Sequence, residues 1–169
     1  MTVFSLRAVK LRSGEEYRAA QEIDQEPLML GGQRYLPVPA KVEAELGLAR
    51  ASTGTVFELA FAVRLHGPCV RCLKETVVEK QISAREYQAT NPEGSDELLN
   101  PYLNDEQLDL SAWARDALVL ALPEKILCRP DCAGLCAVCG KDLNVQPHTH
   151  EEKHSDPRWA ALAELKDRL

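Results

Sequence analysis

A chain of 169 residues with 26 acidic and 20 basic side chains has a formal charge of -6 and a pI near 5.3. That balance excludes a protein that coats nucleic acid through its overall charge, although it leaves room for a local basic patch. No stretch approaches the roughly 20 apolar residues of a membrane span, and the opening MTVFSLRAVKLRSG carries charges throughout with no apolar run of signal-peptide length. A cytoplasmic protein is expected, in a compartment that keeps thiols reduced and favours metal binding over disulfides.

In chain order, Phe4, Leu6 and Ala8 alternate with polar neighbours, and Leu28 to Leu36 predicts a short hairpin around Gly31 and Gly32. Val42, Ala44, Leu46 and Leu48 share one parity, as do Phe57, Leu59, Phe61, Val63 and Leu65. Each set reads as a strand with one buried face, and Ser52-Thr53-Gly54 between them predicts an antiparallel pair. Thr76 to Tyr87 resumes the alternation, so Cys69-Val70-Arg71-Cys72 falls at a turn between two strands. From Glu86 to Asp109 there are seven acidic side chains and no Lys or Arg, with Asn91-Pro92 and Asn100-Pro101 as breakers. This reads as a solvated, partly mobile connection rather than a calcium loop, because the glycine-centred acidic spacing is missing.

Asp109 or Ser111 can cap a helix running to about Leu122, with Leu110, Trp113, Ala114, Ala117, Leu118 and Ala121 on one face and Pro123 as its stop. Core packing accounts for Trp113 and Trp159 better than base stacking does. Asp156-Pro157 predicts the start of a terminal helix whose apolar face is Trp159, Leu162, Leu165 and Leu169.

The chemistry lies in the cysteines. Cys128, Cys132, Cys136 and Cys139 fall within twelve residues, and Cys69 and Cys72 form an earlier pair. Zinc takes thiolate and imidazole ligands in a tetrahedron, and cysteines two to four residues apart can face one ion. Two divisions are open. In one, Cys69 and Cys72 meet Cys128 and Cys132 while Cys136 and Cys139 meet His148 and His150; in the other, the four late cysteines hold a single ion. Either set is closed, which favours a structural role. His66 and His154 read as surface residues, with His66 near enough to Cys69 to act as a supporting donor. A thioredoxin-like pair would place its first cysteine at a helix N-terminus, whereas a strand follows here. A zinc-regulated thiol oxidoreductase or redox sensor using Cys69 and Cys72 is nonetheless the competing functional class.

No nucleophile elbow, Walker loop, HExxH or dinucleotide fingerprint occurs, so no enzyme activity and no small-molecule substrate is expected. Arg64, Arg71, Lys74, Lys80 and Arg85 cluster around the first cysteine pair, and Lys125, Arg129 and Lys141 lie near the later ones. They form either a positive face or ordinary strand-edge charge. Metal loops would gather Arg71, Lys74, Arg129 and Lys141 from distant segments onto such a face.

CVRCL after a strand, LALP at Leu120 to Pro123, LCRPDCAGLCAVCGKDLN and finally DPRWAALAEL together resemble the bacterial large ribosomal RNA subunit accumulation protein family, YceD, from about Val42 onward. Members often carry Cys-x-Cys where this chain has His148-Thr149-His150, an exchange that zinc accepts. The resemblance implies a non-enzymatic role in accumulating large-subunit rRNA, with rRNA or a pre-ribosomal particle as the partner and no membrane, and with that partner Arg71, Lys74, Arg129 and Lys141 become the candidate RNA contacts. The expectation is therefore an α+β protein with two structural zinc ions and an antiparallel sheet able to curl toward a barrel. Residues 1–123 form a β-rich domain, with an acidic linker over 86–109 and a helix over 110–122; residues 124–169 form the zinc-binding segment and terminal helix.

Overall fold

A computed structural model of the chain describes residues 1–92 and 98–150. Its strands are β1 (Val3–Ser5), β2 (Glu16–Asp24), β3 (Leu28–Leu30), β4 (Gln33–Pro37), β5 (Lys41–Arg50), β6 (Gly54–Pro68), β7 (Glu75–Ala89), β8 (Leu103–Asn104) and β9 (Gln107–Asp109), followed by one helix, α1 (Leu110–Ala121).

The frame is the β6–β7 hairpin, paired antiparallel from Gly54 opposite Ala89 to Pro68 opposite Glu75. Along its other edge β6 carries first β5 and then β4, while β2 extends the sheet beyond β5 and β3 beyond β4. Because side chains alternate between faces, Phe57, Leu59, Phe61, Val63 and Leu65 all point inward and are buried. The register sets Leu48 opposite Phe57, Leu46 opposite Leu59 and Ala44 opposite Phe61, so the apolar face continues across strands. Each such Leu or Phe contributes about 1.5–3 kcal/mol by leaving water.

The lid over this face is α1. Leu110, Trp113, Ala114 and Leu118 recur at helical spacing and are buried, Trp113 stacks on Tyr102 with ring centroids 6.1 Å apart, and the helix lies against β7. Asp109 caps it by accepting from the Ala112 N–H at 2.9 Å. Ser111 instead accepts from the Thr2 N–H at 2.7 Å, which ties the chain start to the helix start.

The architecture is α+β as expected, but the sheet is open and does not close into a barrel. Among the described residues β2 and β7 each pair with one neighbour only. The inner face is closed off instead by α1 and by a second sheet of order β1-β9-β8. That small sheet draws two strands from the acidic 86–109 stretch, and β7 extends into the same stretch as far as Ala89. Composition missed the β8–β9 turn because Asp105 and Glu106 take the left-handed backbone without a glycine, at φ 46 and 63, while Leu108 beside them is fully buried. The predicted terminal helix, with Trp159, lies outside the described residues, as does His154.

After Pro123 the chain turns back to the β6–β7 turn. Ile126 enters the core, and the Val70 N–H donates to its carbonyl at 2.9 Å. Cys128 is thereby delivered beside Cys72.

Candidate metal centre

Cys69-Val70-Arg71-Cys72-Leu73-Lys74 and Cys136-Ala137-Val138-Cys139-Gly140-Lys141 fold into the same knuckle. In the first, the Cys69 N–H donates to the Lys74 carbonyl at 2.8 Å and the Leu73 N–H to the Cys69 carbonyl at 2.9 Å; in the second, Cys136 donates to Lys141 and Gly140 to Cys136, both at 2.8 Å. The residue after the second cysteine is left-handed in both, with φ 60 at Leu73 and 70 at Gly140. This bend turns both sulfurs of each pair to one side, where successive N–H groups also point. Burial alone would raise the Cys69 thiol, but N–H groups of Cys72, Cys128 and Arg71 donating to its sulfur bring it down to about 6. The N–H groups of Cys139 and Val138 bring Cys136 down to about 6 in the same way.

Each knuckle faces a second pair of donors. The sulfurs of Cys69, Cys72, Cys128 and Cys132 all lie within 4.8 Å of one another, as do the donor atoms of Cys136, Cys139, His148 and His150. The six thiols are free. A tetrahedron with sulfur about 2.3 Å from its centre has edges of about 3.8 Å. Cys69 Sγ to Cys132 Sγ is 3.8 Å and Cys72 Sγ to Cys128 Sγ is 3.6 Å. Burial and the neighbouring sulfurs push Cys128 up to about 12 while Cys69 falls to about 6, as expected where several thiols compete to carry negative charge in one place. A divalent cation removes that competition.

The second set fits a metal for a different reason. His148 Nδ1 lies 2.7 Å from the Gln146 carbonyl, which can only accept, so Nδ1 carries the proton and Nε2 is left free as the ligand atom. Nε2 lies 3.1 Å from Cys139 Sγ, and the His150 ring meets the His148 ring edge-on at 4.9 Å. Both donor sets can therefore hold a metal ion.

Surrounding residues fix the first knuckle. The fully buried Tyr35 donates from its hydroxyl to the Pro68 carbonyl at 2.8 Å, and its ring covers Gly67, where a Cβ would collide with it. This support was not legible in the sequence. His66 turns toward Glu75, 3.9 Å away, not toward Cys69. Of the four candidate RNA contacts, Arg71 donates from Nη1 to the Cys132 carbonyl at 2.7 Å. Lys74 Nζ lies 2.6 Å from Asp142, and Arg129 Nη2 donates to Asn144 Oδ1 at 2.6 Å. Lys74 and Arg129 thereby tie the first centre to the residues after the second knuckle, and Arg71 joins the two halves of the first centre. Lys141 is exposed, and its backbone closes the second knuckle. Asp142 and Asn144 went unrecognised in the sequence because their partners are distant in the chain.

An α+β protein whose late cysteine segment returns to a sheet turn and completes a set of four sulfur donors, with a sulfur–imidazole set beside it, is the class that the fold and site define. The chain belongs to the family described as "Large ribosomal RNA subunit accumulation protein YceD", whose model matches residues 57–166, more than half of the chain and both donor sets. Uncharacterized proteins of Mycobacterium bovis and Mycobacterium tuberculosis are each 35% identical over 131 residues, covering 75% of this chain and 62% of the relative. One of Mycobacterium leprae is 37% identical over 103 residues, covering 57% and 46%. The chain thus spans less than two thirds of the length of these relatives. No solved structure matches it. Among the described residues no helix is long and apolar enough to cross a membrane.

Proposed function

We propose that this protein is a non-enzymatic cytoplasmic factor that promotes the accumulation of large-subunit ribosomal RNA, and that two zinc ions serve it as structural cross-links. The supporting observation is that the region matched by the family model coincides with the part of the chain organised around the two donor sets. Cys69, Cys72, Cys128 and Cys132 would hold one ion, and Cys136, Cys139, His148 and His150 the other. Bound zinc supplies no reaction here; it joins segments that have little apolar surface of their own to bury.

The partner in this reading is large-subunit rRNA or a pre-ribosomal particle, and the contact is electrostatic. Lys141 is its most available cation, with Arg71, Lys74 and Arg129 forming a rim that the metal loops hold in place. A redox role for Cys69 and Cys72 is the weaker reading, because both are buried in a turn between strands and not presented at a helix N-terminus.

The test is to delete the gene in its own host and measure the ratio of large- to small-subunit rRNA, with the unmodified chain and Lys141→Ser each supplied back. Deletion should lower the ratio and the unmodified chain should restore it. Purified Lys141→Ser should bind rRNA fragments with a salt slope shallower by about one unit or less. An unchanged ratio on deletion would sink the rRNA assignment.

A further inference from the structure

The four residues from Lys141 to Asn144 touch both metal centres, through the backbone of Lys141 and the side chains of Asp142 and Asn144. The Lys141 carbonyl accepts from the Cys136 N–H at 2.8 Å and so closes the second knuckle. Asp142 sits 2.6 Å from the ammonium of Lys74, the residue whose carbonyl closes the first knuckle. Asn144 reaches a ligand of the first centre directly, its Nδ2 donating to Cys132 Sγ at 3.6 Å.

Every polar valence of the Asn144 side chain is assigned. Nδ2 also donates to Asp142 Oδ1 at 2.7 Å, and Oδ1 accepts from Arg129 Nη2 at 2.6 Å and from the Ala133 N–H at 2.8 Å. A flipped amide would set oxygen against a carboxylate and a sulfur, and nitrogen against two donors, so the orientation is fixed. Asp142 Oδ1 further accepts from the Asn144 N–H at 2.9 Å. The backbone closes the same joint: Leu135 donates to the Arg71 carbonyl at 3.1 Å and Leu143 to the Gly134 carbonyl at 2.9 Å. At Gly134, which has a left-handed backbone, a Cβ would stand only 3.1 Å from the Arg71 carbonyl oxygen, so the two loops meet closely there.

We propose that Lys141–Asn144 is a strut coupling the two metal centres, with Asp142 and Asn144 as its positioning residues, so that filling the second centre strengthens metal binding at the first. The proposal rests on the reading that each donor set holds an ion. An N–H donated to a metal-bound thiolate tunes the sulfur's charge and fixes its direction, and Asn144 can donate to Cys132 only while Asp142 is held against it. A filled second centre fixes the Cys136–Lys141 knuckle, hence the start of the strut, hence Asn144. Linkage makes the effect reciprocal: whatever the second ion does for the first, the first does for the second.

Zinc titration of the full chain against a chromophoric chelator tests this through a mutant cycle. The second centre is emptied with His148→Ala plus His150→Ala, the strut is cut with Asn144→Ser, and the third variant combines them. Emptying the second centre should weaken zinc at the first by about tenfold, within the usual range for coupled sites. Cutting the strut should weaken it comparably, and the combination should do little more than either alone. With cobalt in place of zinc, Asn144→Ser should also shift the thiolate-to-metal absorption of the first centre, which a merely structural residue would not do. If Asn144→Ser fails to fold, Lys74→Met at an exposed site frees Asp142 and should likewise reduce the coupling.

A change below about twofold on emptying the second centre, or effects that multiply in the combined variant, would overturn the strut. An unmodified chain binding fewer than about two zinc ions overturns the two-centre reading itself, before any coupling is measured.

Discussion

The two centres are built on one knuckle and placed in opposite surroundings. In the first, Cys69 and Cys132 are fully buried and Cys72 nearly so, under the β6–β7 turn and against Leu127, with Cys128 alone exposed. In the second, Cys136 alone is buried, while Cys139 and His150 are exposed and His148 is half-buried. Identical local hydrogen bonding thus gives two different objects. What decides between them is where the second pair of ligands comes from. Cys128 and Cys132 are 56 and 63 residues from Cys72 and Cys69, so an ion in the first set would close a long loop and lock the segment from Cys128 onward to the sheet. Cys139 and His148 are nine residues apart, so an ion in the second set would organise chiefly its own neighbourhood and reach the first through the Lys141–Asn144 strut.

The largest effect should therefore come from a ligand of the first centre. Cys132→Ser removes a fully buried sulfur, the Asn144 partner and the anchor of the whole segment from Cys128 onward. Loss of a structural metal belongs among changes costing more than about 4 kcal/mol. Urea unfolding of the zinc-loaded variant should show that loss together with a drop in bound zinc. An unchanged midpoint would mean that the first centre does not hold the fold together.

A smaller, local effect should follow from His150→Ala. It should release one zinc by elemental analysis and leave the midpoint of the sheet core within about 2 kcal/mol of the parent, because no core side chain is touched and only the roughly tenfold weakening carried by the strut reaches the first centre. If both variants unfolded the chain equally, the contrast between an anchoring centre and a local one would be wrong.

What the sequence disclosed divides along the same line. Short-range signals were legible. The parity of Phe57 to Leu65 and of Val42 to Leu48 specified an antiparallel pair with one buried face, and Gly31-Gly32 specified a hairpin; both glycines are left-handed, at φ 56 and 78. Spacing left two divisions of the thiols open, and the fold assembles the one joining Cys69 and Cys72 to Cys128 and Cys132, because Ile126 is drawn into the core and carries Cys128 with it. Long-range commitments were not legible. Arg71, Lys74 and Arg129 stood out as free cations, yet each finds its partner 61, 68 or 15 residues away. Charge clustering in one dimension does not reveal that a cation is already employed. The Asp105-Glu106 turn stayed hidden for a related reason, since a left-handed pair without glycine is held by what surrounds it: the Glu106 carbonyl accepts from the Leu6 N–H at 2.9 Å, and its side chain pairs with Arg7.

The smallest expected effect sharpens the comparison most, because it asks whether the two knuckles obey the same backbone rule. Leu73 and Gly140 occupy equivalent left-handed positions, but only Gly140 has the residue suited to it. A left-handed non-glycine residue costs roughly 1–2 kcal/mol, while glycine costs about 0.5–1 kcal/mol in unfolded-chain entropy. Leu73 is 54% exposed, so removing its side chain forfeits little burial. Leu73→Gly should thus raise the unfolding midpoint slightly, by less than about 1 kcal/mol. Gly140→Ala meets open space at its Cβ, so its only penalty is the φ of 70. It should hasten zinc loss from the second centre while leaving the core unfolding transition where it was. Thermal unfolding and chelator-driven zinc release, measured on both variants, read the two sides separately. A Leu73→Gly variant destabilised by more than about 1 kcal/mol would show that the leucine contributes through contacts rather than enduring strain, and the knuckles would then be alike in shape but not in what maintains them.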